Sequence, residues 1–273
     1  MGQRFLVVLL ISLSSVCFSL SAAAQEPTWS YQGKTGPNYW GDLSEEYALC
    51  RQGVNQSPID ILDTTFDRLF SLGFIYKDVP LLASRRNHSI EIDYGEPIEN
   101  GGEYIEIRGE KVALPNMLSY DSTLNISGET YTLQKINFHT PSEHKYEHKS
   151  YPLEVQLHHK NEFQQWAILS VFFETGQKND LIEKLLQYIS DDESPTQQPQ
   201  TMINAQNLLP QQRGYYHYRG SLTTPPCHEG VRWFVFKESN SLSKSQLQKL
   251  TQEIKPNNRP LQAKNYRFLL ESL

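Results

Sequence analysis

The segment Asn137-Phe-His-Thr-Pro-Ser-Glu-His144 is followed, a few residues later, by the segment Glu154-Val-Gln-Leu-His-His159. Strand patterns of this kind send every second side chain to the same face. If the two strands are neighbours, one face of the pair collects five polar residues: Asn137, His139, Glu154, Gln156 and His158. Because buried polar side chains must satisfy one another, a cluster this dense indicates either a functional site or the remains of one.

Strand patterns dominate the rest of the chain. Alternating or continuous apolar runs predict strands at 90–94, 104–107, 131–138, 153–159, 166–173 and 231–236. Helical spacing of apolar residues predicts helices over 180–189 and after Ser243, a suitable N-cap with Gln246 three residues on. The segment 191–200, rich in Asp, Pro and Gln, is predicted to be a surface loop. Without repeats or linkers, we expect one β-rich α+β domain with short peripheral helices.

The N-terminus has the pattern of a secretory signal. Arg4 is followed by the apolar run 5–13 and by small residues at 22–24. We expect cleavage that removes 1–24 and leaves 25–273 as an exported domain, periplasmic or secreted; a retained N-terminal membrane anchor is the alternative. No other stretch approaches the ~20 apolar residues of a membrane span. The net charge of −6 and the absence of a dense Lys/Arg block argue against nucleic acid as a partner.

Two cysteines remain after this cleavage, Cys50 and Cys227. An even pair in an exported chain indicates a disulfide, and two free thiols are the alternative. The bridge would close a very long loop, for which the chain-entropy model gives a stabilisation of about 5 kcal/mol.

Five segments together resemble the signatures of the α-class carbonic anhydrases. They stand in the family's order and span the mature chain: Gly36-Pro-Asn-Tyr-Trp-Gly41, Asn55-Gln-Ser-Pro-Ile-Asp60, Phe138-His-Thr-Pro-Ser-Glu-His144, Gly220-Ser-Leu-Thr-Thr-Pro-Pro-Cys-His-Glu-Gly230 and Asn257-Asn-Arg-Pro-Leu-Gln262. The resemblance implies a single domain around a large, twisted, mostly antiparallel central sheet, with the active site in a conical cleft. It also implies the Cys50–Cys227 disulfide, as in exported members.

In that family three histidines hold a catalytic zinc. Zinc lowers the pKa of its bound water to about 7, for which carbonic anhydrase is the standard example, and the hydroxide attacks CO2. The resemblance puts the three ligand positions at Asn137, His139 and Gln156, so one histidine is retained and two are replaced. Neutral amide oxygens are poor zinc donors. Losing two ligands costs about 6 kcal/mol, on the order of 10⁴ in affinity, so zinc is expected from the family but doubtful here.

The resemblance also assigns catalytic positions. Thr223 stands where the family keeps the threonine that accepts a hydrogen bond from zinc-bound hydroxide, and Glu143 stands where its carboxylate partner belongs. His88 falls where many members have a proton-shuttle histidine, and its reference pKa near 6.5 suits that role. The alternatives are that loop geometry alone fixes Thr223 and Glu143, and that His88 is an ordinary surface histidine.

Three more residues surround the ligand positions in the resemblance. Glu154 matches the acid that orients the third ligand, and it can accept a hydrogen bond from the Gln156 amide. Asn257 opens the last of the matching motifs. Lys135 replaces a glutamine that usually faces the first ligand. A cation aimed there would repel zinc; the alternative is that Lys135 turns to solvent.

Leu222, Ile168 and Trp233 match the apolar pocket that holds CO2, whereas His158 stands where the family has an apolar pocket residue. Two interpretations of His158 follow. It fills the emptied space by hydrogen-bonding Asn137, Gln156 or Glu154, which we expect, or it joins His139 and an amide oxygen in a relocated zinc site.

The sequence therefore leads to three hypotheses. The first is an exported carbonic-anhydrase-like protein without normal CO2 hydration, a pseudoenzyme whose cleft takes a small molecule or anion, or which binds a protein partner. The second is a modified carbonic anhydrase with zinc rebuilt on His139 and His158. The third is a structural or storage role without a ligand.

Overall fold

In the part of the chain that the structure describes, 13 strands form one mixed sheet. The computed structural model describes residues 28–86, 89–94, 104–107, 110–113, 121–189 and 196–272. The strands are β1 Asp60–Ile61, β2 Thr65–Asp67, β3 Leu72–Ile75, β4 Val79–Arg86, β5 Ser89–Asp93, β6 Tyr104–Ile107, β7 Glu110–Ala113, β8 Thr123–Ile126, β9 Glu129–His139, β10 Lys145–Tyr146, β11 Leu153–Lys160, β12 Trp166–Thr175, β13 Thr196–Ile203, β14 Tyr215–Ser221, β15 Glu229–Phe236, β16 Asn240–Leu242 and β17 Leu270–Ser272. The predicted strands are confirmed within a few residues.

The main path of the sheet runs β13-β4-β5-β9-β11-β12-β15-β14-β17-β2, with β16 beside β12 and the β3–β8 pair beside β9. Most neighbours are antiparallel, as expected; β12 pairs in parallel with β15 and β16, and β17 with β2. The strands β9, β11 and β12 lie in the middle of this path. They carry the polar cluster predicted from the sequence.

The helices are short and lie at the periphery: α1 Trp40–Leu43, α2 Leu49–Gln52, α3 Asp180–Tyr188 and α4 Lys244–Glu253, with 3₁₀ turns at Gly33–Thr35, Glu45–Tyr47 and Ala205–Leu208. Asn179 caps α3, and Ser243 with Gln246 forms the predicted capping box at the start of α4. Within the described residues, no helix is long and apolar enough to cross a membrane.

The two faces of the central strands have different environments. Side chains such as Ile136, Phe138 and Leu157 point into the larger apolar core, which also receives α3 and α4 residues. The intervening residues of the same strands point to the opposite face, because side chains alternate along a strand. On that face Ile168 and Trp233 belong to a second, smaller apolar cluster. The polar residues of β9 and β11 therefore have an apolar wall beside them.

The predicted loop at 191–200 is partly wrong. Residues 196–198 are paired antiparallel with β4, Thr196 opposite Ala83, and the register is interrupted between Gln198 and Met202. This strand lies at the edge of the sheet, where pairing needs backbone groups rather than apolar side chains, and Pro199 falls in the irregular stretch where a strand tolerates proline. Residues 191–195, the predicted signal at 1–24 and His88 lie outside the described residues.

Candidate functional site

The polar cluster is assembled by the register of β9 and β11. In this antiparallel pair Asn137 is opposite Gln156, His139 is opposite Glu154, and Lys135 is opposite His158. The neighbouring-strand arrangement expected from the sequence is therefore present. Opposed side chains on one face have Cβ atoms about 4.5–5.5 Å apart, so these polar groups are direct neighbours at the centre of the sheet.

His139 is buried and has a fixed orientation. Its Nδ1 lies 2.9 Å from the main-chain oxygen of Asn257, a group that only accepts, so Nδ1 carries the hydrogen. The Asn257 side chain secures this contact, because its amide donates to Phe138 O at 2.8 Å and accepts from Thr140 N at 2.8 Å. The opposite nitrogen of the ring, Nε2, is buried and has no hydrogen-bond partner among the described residues. His139 therefore presents a bare lone pair.

Gln156 is fully buried, and its amide group is held from behind by two carboxylates. Its Nε2 donates to Glu143 Oε2 at 2.8 Å and to Glu154 Oε1 at 3.0 Å. The expected hydrogen bond to Glu154 is thus present, and a second one to Glu143 joins it. Turning the amide over would set its oxygen against two carboxylates. The Gln156 Oε1 atom is therefore the one left facing the cluster, and the part of the chain that the structure describes gives it no hydrogen-bond partner.

Glu154 is the anchor of this network. It accepts hydrogen bonds from the main-chain N atoms of Glu143 and His144, from His144 Nδ1 and from Ser170 Oγ, all within 2.9 Å. Burial alone would raise the pKa of Glu154, but the charge and hydrogen bonds of His144 outweigh it and lower the pKa to about 2. Glu154 is therefore a carboxylate at neutral pH.

Glu143 was expected to be the carboxylate partner of Thr223, but its oxygens accept hydrogen bonds from other groups. Oε1 accepts from the main-chain N of Arg259 at 3.0 Å, and Oε2 accepts from Gln156. Thr223 is buried in the loop after β14. Among the hydrogen bonds of the described residues, none joins Thr223 to Glu143. Arg259 N donates to Oε1 of Glu143, and the Gln156 amide donates to the other oxygen, Oε2.

His158 is buried, but neither of its ring nitrogens has a hydrogen-bond partner within the described ranges of the chain. The expectation that it hydrogen-bonds Asn137, Gln156 or Glu154 is therefore wrong. Gln156 and Glu154 are already committed to each other, and the His158 ring instead meets Trp166 edge-on at 6.2 Å. Burial, and then the positive charge of Lys135, hold the pKa of His158 well below its ordinary value.

Lys135 forms an ion pair, so it is neither turned freely to solvent nor left as an uncompensated charge. Its Nζ lies 2.6 Å from Glu91 Oε2 on the neighbouring strand β5. Glu91 is in turn opposite Asn137. The lysine charge beside the cluster is thus balanced within the sheet.

The expected apolar residues come together beside this cluster. Ile168 and Trp233 are fully buried in one apolar cluster, and Leu222 packs against it partly buried. The Trp233 indole donates to Ser221 O at 2.9 Å, which holds the loop that carries Leu222 and Thr223.

The Cys50–Cys227 disulfide is present and ties this loop to the N-terminal part of the chain. Arg259, which the sequence analysis did not single out, reinforces it. Its buried guanidinium donates to Gln56 Oε1, to Ser57 O and to Cys50 O, at 2.8–2.9 Å. The signal was available, because Arg259 lies inside the motif 257–262, where an arginine among apolar and amide residues indicates a structural cation.

The side chains at the expected zinc position do not fit that metal. They offer one fixed imidazole nitrogen, on His139, and the neutral amide oxygens of Asn137 and Gln156. Tetrahedral zinc sites use histidine, cysteine or carboxylate ligands. In the part of the chain that the structure describes, no three such side chains are grouped to hold a metal ion.

Comparisons with known proteins give a consistent result. The family model for eukaryotic-type carbonic anhydrase matches residues 35–272. A carbonic anhydrase from Neisseria gonorrhoeae is 33% identical over 269 residues, covering 98% of this chain and 96% of that protein. The solved α-carbonic anhydrase of Thermovibrio ammonificans, in complex with sulfanilamide, is 34% identical with a TM-score of 0.78, over 90% of this chain and 100% of that one. Dioscorin complexed with ascorbate is 28% identical with a TM-score of 0.74, over 90% and 99%.

Proposed function

This chain belongs to the eukaryotic-type carbonic anhydrase family, and from that premise we propose that it is an exported member that lacks ordinary CO2 hydration and binds a small ligand in its cleft. The observation that carries the proposal is the state of Gln156. Its amide nitrogen is held by Glu143 and Glu154, so the group turned to the zinc position is a neutral oxygen.

The chemistry of hydration requires a metal that holds and acidifies a water molecule. Here Asn137 and Gln156 stand at two of the three ligand positions, and only His139 offers an imidazole nitrogen with a fixed lone pair. The proton network is altered too, because Glu143 accepts from Gln156. Both changes disfavour CO2 hydration. The first weakens zinc binding, and the second alters the carboxylate contact behind the metal position.

The ligand part of the proposal rests on what the cleft retains. An apolar wall of Ile168, Leu222 and Trp233 stands beside unpaired buried polar atoms, which is the usual make-up of a small-molecule site. Relatives with this fold have been solved with sulfanilamide and with ascorbate. These precedents support a small organic molecule as a class of occupant for the cleft.

A second candidate function is a modified carbonic anhydrase with zinc on His139 and His158. The observation in its favour is that His139 Nε2 and both nitrogens of His158 are buried without partners on one face of the sheet. This candidate predicts zinc binding that disappears in both His139→Ala and His158→Phe. A purely structural or storage role predicts neither metal nor ligand.

The proposal is tested by stopped-flow CO2 hydration on the mature protein, equilibrated with zinc and checked for metal content. We expect a rate no higher than that of the His139→Ala variant. The matched positive control is Asn137→His/Gln156→His, in which the three histidines are restored and a rate increase is expected. Hydration by the unaltered protein that His139→Ala abolishes would contradict the proposal.

Export is part of the proposal and rests on the signal pattern in 1–24 and on the disulfide, since such bonds persist in oxidising compartments. Expression of the full chain with fractionation and N-terminal sequencing tests it. We expect a processed form that begins near Gln25 outside the cytoplasm; an unprocessed chain in the cytoplasmic fraction would contradict export.

A further inference from the structure

The polar side chains at the former zinc position leave an excess of hydrogen-bond acceptors. We call Asn137, His139, Gln156 and His158 the acceptor cluster. Each member has at least one buried nitrogen or oxygen for which the described residues provide no hydrogen-bond partner. They lie on one face of β9 and β11 with Asn137 directly opposite Gln156. Unpaired buried polar atoms are rare in native proteins and call for an occupant that satisfies them.

Two of these atoms are acceptors whose direction the surroundings fix. His139 Nε2 must accept, because Nδ1–H is donated to Asn257 O. Gln156 Oε1 must accept, because the amide hydrogens are donated to Glu143 and Glu154. Asn137 Oδ1 adds a third unpaired acceptor, and neutral His158 always has one acceptor nitrogen. The matching occupant is a donor of several hydrogen bonds from one centre.

The charges around the cluster favour a cation. Glu143 and Glu154 lie directly behind Gln156, and both are buried. His144 Nδ1 lies 2.8 Å from Glu154 Oε1 and supplies charge and hydrogen bonding to that carboxylate. Glu143 accepts from the Gln156 amide and the Arg259 main-chain N and has His139 Nδ1 at 3.6 Å. The buried Arg259 guanidinium is hydrogen-bonded to Gln56, Ser57 and Cys50, and Lys135, opposite His158, is paired with Glu91. A positive group in the cluster would therefore balance the charge of Glu143.

The size of the cluster favours an N–H cation over a metal ion. Asparagine is shorter than the imidazole it replaces, so the acceptor at 137 is withdrawn from the metal position. Zinc–nitrogen bonds are about 2.0–2.1 Å long, whereas N–H hydrogen bonds to oxygen span about 2.9 Å. An ammonium group directs its hydrogens to the corners of a tetrahedron, the same arrangement that zinc requires of its ligands. An ammonium group is therefore compatible with longer distances and with neutral acceptors, whereas zinc is not.

We infer that the acceptor cluster binds an ammonium-type head group, either the ammonium ion itself or the protonated primary amine of a small organic molecule. The inference deepens the proposed function and rests on it, because a zinc ion in this position would exclude the amine. The head group donates to His139 Nε2 and Gln156 Oε1, and Asn137 and His158 complete its surroundings. An organic substituent would extend towards the apolar wall of Ile168, Leu222 and Trp233.

The test is calorimetric titration of the chelator-treated mature protein at neutral pH and constant ionic strength. The ligands are ammonium, ethylammonium, tetramethylammonium and potassium chlorides. We expect saturable binding of ammonium or ethylammonium, and none of tetramethylammonium, which has the charge without N–H donors, or of potassium. Tighter binding of ethylammonium identifies an organic amine as the source, and tighter binding of ammonium identifies the free ion.

Two variants place the site. Asn137→Leu and His158→Phe remove unpaired acceptors without removing a hydrogen bond within the protein, so both are expected to fold. Each should weaken binding about 10-fold or more, the usual effect of one hydrogen bond to a charged group. His148→Asn is the matched control, because this exposed histidine pairs with Asp60 away from the cluster and asparagine tolerates its left-handed backbone. Its affinity should be unchanged.

Any of three results would overturn the inference: no saturable binding, equal binding of tetramethylammonium, or affinities that the two variants leave unchanged. If water alone occupies the cluster, we expect no saturable binding. The outcome is separable from that of the hydration assay. If the protein neither hydrates CO2 nor binds amines, the proposed function stands and this inference is wrong. If the protein hydrates CO2 with zinc, both are wrong.

Discussion

Gln156 lies directly opposite Asn137 on the adjacent strands β11 and β9, and its amide nitrogen is held 2.8 Å from Glu143 and 3.0 Å from Glu154. Two neutral amides therefore face each other at positions where the family resemblance leads us to expect imidazole ligands. Glu143 and Glu154 determine which end of the Gln156 amide faces the cluster. Gln156 is thus an integral part of the surrounding hydrogen-bond network.

The first prediction concerns this network. Gln156→Leu leaves Glu143 and Glu154 without a shared buried donor, so we expect the free energy of unfolding to fall by about 1–3 kcal/mol or more. Urea unfolding at neutral pH measures it. Asn137→Leu is the control, because no described residue forms a hydrogen bond with the Asn137 oxygen; it should change stability by no more than about 0.5–1 kcal/mol. Equal losses in the two variants would contradict the assigned hydrogen bonds.

The second prediction concerns the disulfide. Cys50 and Cys227 are 177 residues apart in sequence, and the chain-entropy model assigns such a loop a stabilisation of up to about 5 kcal/mol. The Cys50→Ala/Cys227→Ala variant should therefore unfold at a markedly lower urea concentration and temperature than the oxidised protein. The reduced wild-type protein is the matched control and should resemble the variant. An unfolding midpoint that neither change lowers would contradict the prediction.

The third prediction concerns pH. Burial lowers the pKa of His217 to about 4 from 6.5, opposed by its hydrogen bond to Trp233 O and assisted by the charges of Arg232 and Arg219. The unfolded chain then binds the proton first as pH falls. The stabilisation is complete above about pH 6.5 and is lost progressively towards pH 4, at no more than about 1.4 kcal/mol per pH unit.

The measurement is the free energy of unfolding at several pH values in this window, for the wild-type protein and for His217→Phe. Phenylalanine keeps the ring that stacks on Phe234 at 4.6 Å but cannot titrate. We expect the free energy of unfolding to decline less steeply with falling pH in the variant, because it lacks the His217 contribution. Other buried histidines contribute equally to both proteins. Parallel curves would show that His217 does not contribute.

Much of this site could be predicted from the sequence because it depends on alternation along strands. The polar face of β9 and β11 follows from spacing alone, and the Gln156–Glu154 hydrogen bond follows from residues two apart on one strand. The disulfide followed from an even cysteine pair and from the family resemblance. These features are local or depend on a single pairing of neighbouring strands.

What could not be predicted depends on groups distant in sequence. Lys135 is balanced by Glu91 because β5 lies beside β9, an order that the pattern of strands does not specify. His158 has no hydrogen-bond partner among the described residues, and Gln156 donates instead to Glu143, which comes from the loop after β9. The polar segment at 196–200 forms an edge strand by backbone pairing with β4, which leaves no apolar signal.

We propose that Asn137 and Gln156 make the expected zinc position an acceptor cluster. The most direct measurement is metal content by plasma mass spectrometry after equilibration with zinc, for the mature wild-type protein, Asn137→His/Gln156→His and His139→Ala. We expect little zinc in the wild-type protein and in His139→Ala, and about one ion per chain when three histidines are present. About one zinc ion per wild-type chain, lost in His139→Ala, would contradict the proposal.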